Sequence, residues 1–122
     1  MTTELLNAIT NPDYAITRAA ELLRSGEIIG IPTETVYGLG ACIFNEKAVQ
    51  KIYEAKGRPQ DNPLIAHIAA IEDVERIVID IPDEFYRLAE AFFPGALTVI
   101  LKKRKEVPSI VSAGLDTIAV RM

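Results

Sequence analysis

The amino-acid sequence predicts an α/β (α+β) fold, a mixed parallel/antiparallel sheet with helices packed on it. Three observations carry that expectation. Short apolar runs alternate along the chain with segments of helical periodicity. The spacings between the runs are uneven, which disfavours a regular doubly wound sheet. The 122 residues, 49% of them hydrophobic and 25% charged, suffice for one modest core but not comfortably for two. Residues 1–122 are therefore read as one domain, with a short lead-in over residues 1–12.

The elements follow in order. Asn11-Pro12-Asp13 is a turn and cap signal. From Tyr14 to Arg24 apolar residues recur at helical spacing, and Ser25-Gly26 ends that helix. Ile28 to Ile31 reads as a short buried strand stopped by Pro32. Residues 33–45, broken by glycines and an asparagine, read mostly as loop. Glu46 to Ala55 is helical, with Val49, Ile52 and Tyr53 inward. Gly57 to Pro63 holds two prolines and reads as loop or extended chain. Leu64 to Ile68 is the next strand, and a short helix follows near Ile71–Arg76. Asp83 caps a helix to about Phe93, which Pro94-Gly95 terminates. Ala96 to Leu101 and Thr117 to Arg121 are the last two strands.

Several classes are disfavoured at once. A net charge of −4 argues against a protein that coats nucleic acid non-specifically. Cys42 is the lone cysteine and His67 the lone histidine, which makes a structural metal site implausible, and no metal ligands are assigned. The first residues lack the basic flank and apolar stretch of a signal peptide, and no segment approaches the roughly 18 apolar residues of a membrane span. The expected compartment is cytoplasmic, with no membrane partner.

Four segments carry chemistry. Pro32 to Gly40 leaves a strand with two threonines, a glutamate and two glycines. Such a loop either contacts a polar ligand or is a turn whose hydroxyls satisfy its own backbone. It is not a P-loop, because the terminal Gly-Lys-Ser/Thr is missing. Lys56-Gly57-Arg58-Pro59 places two cations two residues apart. On an extended backbone they share a side, with a compact charge and a fork suited to phosphate oxygens. The alternative is a solvated basic turn after a helix. His67 lies within an apolar strand, where a satisfied core histidine is the plainer reading. Ser112 to Thr117 is a polar turn leading to Arg121, which shares a face with Ala119 at an otherwise core position and so wants an anionic partner. An exposed edge arginine is the alternative. The run Lys102 to Lys105 lacks interleaved aromatics and reads as a solvated turn, not a nucleic-acid patch.

Taken together and in this order, Gly30 to Gly40, Lys56 to Pro59, Asn62 to His67, Phe93 to Thr98 and Ser112 to Met122 resemble the YrdC-like threonylcarbamoyl-AMP synthase family. The resemblance runs from about Tyr14 onward. It implies a YrdC/RibB-like fold, a twisted mixed sheet flanked by helices around a concave cleft. It also implies the reaction of L-threonine, bicarbonate or carbon dioxide, and ATP to threonylcarbamoyl-AMP and pyrophosphate. A separate transferase complex then passes the threonylcarbamoyl group to transfer RNA. By the motif match, Lys56 and Arg58 serve the triphosphate and carbamate, with Asn62 on the nucleotide side. Thr33, His67 and Arg121 line the threonine side, and Ser112 and Thr117 bond the ligands from the opposite wall. Mg2+ is expected on the phosphates.

The family's Ser-x-Asn element is not found in this sequence. The expectation is a C-terminally incomplete domain, its last strand without neighbours, marginal in stability and poor in catalysis alone. Two alternatives stand beside the synthase: a non-catalytic double-stranded RNA-binding or ribosome-maturation module, and a paralogue acting on another carbamoyl substrate.

Overall fold

The computed structural model describes residues 2–57, 59 and 63–122. Helix α1 spans Pro12–Arg24. Asn11 caps it by accepting from the Tyr14 amide at 3.4 Å, and proline occupies its first turn, where the missing N–H has no partner to lose. Strands β1 (Ile29–Ile31) and β2 (Gly38–Gly40) pair antiparallel, Ile31 opposite Gly38. β2 lies inside the segment expected to be mostly loop, since two of its three residues are glycines and only pairing defines it. β1 is half-buried and not fully buried, because one of its faces lines a cavity.

Helix α2 spans Glu46–Lys56, capped by Asn45, whose side chain accepts from the Ala48 amide at 3.0 Å. Lys51 reaches back from α2 to the Gly26 carbonyl at 2.9 Å and to Glu27 at 3.1 Å, fastening it to the turn after α1. Strand β3 (Ile65–His67) is followed by a 3₁₀ helix over Ile71–Arg76 and by helix α3 (Asp83–Phe92). Pro82 is the cap position of α3, and Asp83 is already in its first turn. Strands β4 (Val99–Lys102) and β5 (Thr117–Arg121) follow.

β3, β5 and β4 form one sheet in that order, with β3 parallel and β4 antiparallel to β5. The last strand is thus the central one, with neighbours on both sides, which corrects the expectation that it has none. Alternation along the strands separates two faces. On one, Ala66, Leu101, Ile118 and Val120 join Val49 and Tyr53 of α2 and Phe85 and Ala89 of α3 in a single core. Phe85 stacks edge-on against Phe93 at 6.1 Å between ring centres, and the buried Tyr53 hydroxyl donates to the Ile110 carbonyl at 3.0 Å. On the other face Ile65 is 45% and Ile100 69% exposed, beside His67, Ala119 and Arg121. His67 is therefore not a core histidine, and Arg121 does not stand at a core position. Both lie on the open face, because the core side is taken by their neighbours Ala66 and Val120.

Three of the four residues in the basic run Lys102 to Lys105 are tied to the fold. Lys103 donates to the Val107 carbonyl at 2.8 Å, Arg104 to the Glu75 carbonyl at 2.7 Å, and Lys102 pairs with Asp80 at 3.1 Å. No helix among the described residues is long and apolar enough to cross a membrane.

Candidate functional site

Two adjoining cavities open beside β3. The larger, about 610 Å³, lies between the β1–β2 hairpin, α2 and β3, and Lys56 is on its wall. The smaller, about 410 Å³, is bounded by the loop after β1 and by Pro94-Gly95. Ile31, Thr33 and His67 belong to both walls, so these residues form the divide.

Six of the sequence-expected residues, Thr33, Lys56, His67, Ser112, Thr117 and Arg121, have a definite place. Lys56 is exposed at the last position of α2, where a cation also suits the helix C-terminus. The extended backbone expected around it is not found: Gly57 adopts the left-handed conformation at φ 60 and closes the helix. Alternation along a strand therefore cannot set the direction of Lys56. The geometry of a helix end sets it. Arg58 and Asn62 lie outside the described residues.

His67 ends β3 and is exposed at the divide, in register with Arg121 of β5. Thr33 is there too, but its hydroxyl bonds the Val36 carbonyl and accepts from the Thr35 amide at 3.3 Å. In this structure that hydroxyl closes its own loop. Ser112 is 1% exposed, its hydroxyl 2.8 Å from the Leu115 carbonyl and 3.3 Å from that of Ser109. It organises the turn before β5. Thr117 opens β5 opposite Lys102. Neither Ser112 nor Thr117 is on the wall of these two cavities.

Arg121 has an anionic partner, although not for the reason expected, since its position is on the open face and not in the core. Its Nη1 donates to Glu34 Oε1 at 2.6 Å, and its Nη2 to the Ala96 carbonyl at 2.8 Å. Its Nε is enclosed without a hydrogen-bond partner among the described residues. The pair is partly shielded, at 25% and 40% side-chain exposure. Arg121 itself lines neither cavity, whereas Glu34 lines the smaller. Sequence reasoning did not single out Glu34. The available signal was an acidic residue in a strand-end loop combined with an arginine in need of a counter-ion.

Gly95 packs so close to the chain that an added Cβ would stand 2.7 Å from the Phe92 carbonyl oxygen, which excludes any side chain without movement. Its amide donates to the Met122 carbonyl at 2.8 Å, joining this wall of the smaller cavity to the end of β5. Among the described residues no group of three or more His, Cys, Asp or Glu is arranged to hold a metal ion.

The Sua5/YciO/YrdC family model, described as "Telomere recombination", matches residues 21–122. A threonylcarbamoyl-AMP synthase of Pyrococcus abyssi (strain GE5 / Orsay) is 52% identical over 110 residues, covering 90% of this chain and 32% of the relative. One of Bacillus subtilis (strain 168) is 49% identical over 120 residues, 98% of this chain and 35% of the relative. The crystal structure of P. abyssi Sua5 complexed with L-threonine superposes with a TM-score of 0.86 at 52% identity, over 89% of this chain and 32% of that one. The chain thus spans about a third of the length of these relatives. A match over residues 21–122, with the fold shared, places this chain in the Sua5/YciO/YrdC family.

Proposed function

We propose that the full-length protein is an L-threonylcarbamoyladenylate synthase, acting in the cytoplasm on L-threonine, bicarbonate or carbon dioxide, and ATP. The observation that carries this reading is the pair of adjoining cavities. A cation, Lys56, stands on the wall of one, a carboxylate, Glu34, on the wall of the other, and His67 is at the divide. A relative that holds L-threonine in its crystal structure shares the fold, and the curated relatives are named for this activity.

The chemistry suits such a site. The neutral threonine amine attacks carbon dioxide and sheds a proton, or attacks bicarbonate with loss of water, to give a carbamate. A carbamate oxygen attacks the α-phosphorus of ATP, the bond to the β-phosphate oxygen breaks, and pyrophosphate leaves. No covalent enzyme intermediate is required, so the protein's work is positioning and charge neutralisation. Lys56 and Arg58 take the triphosphate and carbamate, with Asn62 beside them. Thr33 and His67 border the threonine, Arg121 supports that side, and Ser112 and Thr117 hold the turn and the start of the strand that carry Arg121. Magnesium enters on the ATP phosphates, as part of the substrate. The product serves a transferase that modifies transfer RNA.

Pyrophosphate release by the full-length protein tests this reading. We expect release to require both threonine and bicarbonate, and Lys56→Ala or Arg58→Ala to lower it about a hundredfold or more, as for groups that stabilise transition-state charge. Turnover without threonine, or full activity in both variants, contradicts it. Within the basic run Lys103 and Arg104 are bonded to backbone carbonyls, which weakens the RNA-module alternative.

A further inference from the structure

The lead-in before α1 is tied down in a way that leaves its apolar side chains in water. The two carboxylate oxygens of Glu4 accept from Arg18 Nε at 3.3 and 3.1 Å, and one of them accepts from the Tyr14 hydroxyl at 3.4 Å, so the lead-in lies against α1. Asn7 Oδ1 accepts from the Ile9 and Thr10 amides at 3.0 Å each. The Asn7 carbonyl accepts from the Asn11 amide at 3.1 Å, which closes the turn into the helix. All of these ties are polar. Leu5 and Ile9 are each 94% exposed, and Tyr14 is exposed beside Glu4. A chain end is ordinarily loose unless something holds it. Ordering it costs conformational entropy, and no burial of Leu5 or Ile9 offsets that cost here.

Size and chain length select what covers this surface. One exposed leucine needs no explanation, but large apolar side chains held in place on one segment mark a contact surface. The surface is only a few side chains wide, whereas a specific interface between separate proteins takes about 20–30 residues a side. It is too small to hold a second copy or another protein by itself. A segment of the same chain faces a lower threshold, because tethering raises its effective concentration to the order of millimolar. This chain spans about a third of the length of the P. abyssi and B. subtilis relatives. The family model begins its match at residue 21, so the lead-in lies outside it. The match to the B. subtilis relative takes in 98% of this chain, and so nearly all of the lead-in.

We propose that the lead-in is a docking surface inside the full-length protein, where Leu5 and Ile9 are covered by an apolar segment of the same chain beyond residue 122. The polar ties to α1 fix the surface before that segment arrives. Such docking is independent of which reaction the two cavities serve.

Photo-cross-linking of the full-length protein tests this. Benzoylphenylalanine takes the place of Leu5 in one variant and of Ile9 in another, and both positions are exposed enough to accept it without disturbing the core. After irradiation the linked peptides are identified by mass spectrometry. We expect each position to link, within a single chain, to a peptide beyond residue 122, and the links to be lost when the protein is unfolded in urea before irradiation. Links only to residues 2–122, links between two copies, or no link at either position overturns the proposal. Links that persist in urea overturn it too, because the contact would then belong to the unfolded chain.

Discussion

His67 and Arg121 sit opposite one another in register at the ends of two parallel strands, and both face away from the core. Neither contributes to packing in the way that Ala66 and Val120, one residue earlier on each strand, do. A change at His67 should therefore separate function from stability. We expect His67→Ala to reduce threonine-dependent pyrophosphate release about tenfold or more, while the unfolding free energy shifts by no more than about 0.5 kcal/mol, as for exposed positions generally. Activity assay and urea denaturation on the same preparation check this, and a large loss of stability with activity retained would reverse the assignment. Arg121 shows what sequence can give at this scale. A counter-ion was expected because alternation put Arg121 at a core position; the partner is there, but the position is on the open face. The identity of that counter-ion was not legible, because Glu34 lies 87 positions away in the chain.

The helices were the legible elements, since their signals are local. Asn11 and Asn45 cap α1 and α2 with their own side chains, and Gly57 stops α2 with a left-handed turn. The strands were less so. β2 has no strand-forming composition of its own and exists through its pairing with β1. β4 begins at Val99, three residues later than expected at Ala96, because Pro94 and Gly95 build a turn whose following carbonyl, on Ala96, binds Arg121. Gly57 joins element to site, since it ends α2 directly after Lys56. Gly57→Ala puts a Cβ into the left-handed region and should cost about 1–2 kcal/mol. Chemical denaturation reads that loss, and a stabilised variant would mean that α2 ends in some other way in solution.

At the scale of the whole molecule, the central place of β5 matters most. Its core face carries Ile118 and Val120, and its open face carries Arg121 toward the loop after β1. One strand thus ties the hydrophobic core to the wall of the smaller cavity. The mixed sheet with helices on it was legible from alternating apolar segments, whereas the strand order, with the last strand in the middle, was not, because long-range pairing leaves no local mark. The cavities between the elements separate a cation from a carboxylate, with His67 at their divide. The most direct measurement is the fate of ¹³C-bicarbonate given to the full-length protein with L-threonine and Mg·ATP, followed by mass spectrometry. The account predicts the label in an adduct containing both threonine and AMP, formed in step with pyrophosphate. Pyrophosphate release with no label in any nucleotide adduct would contradict it.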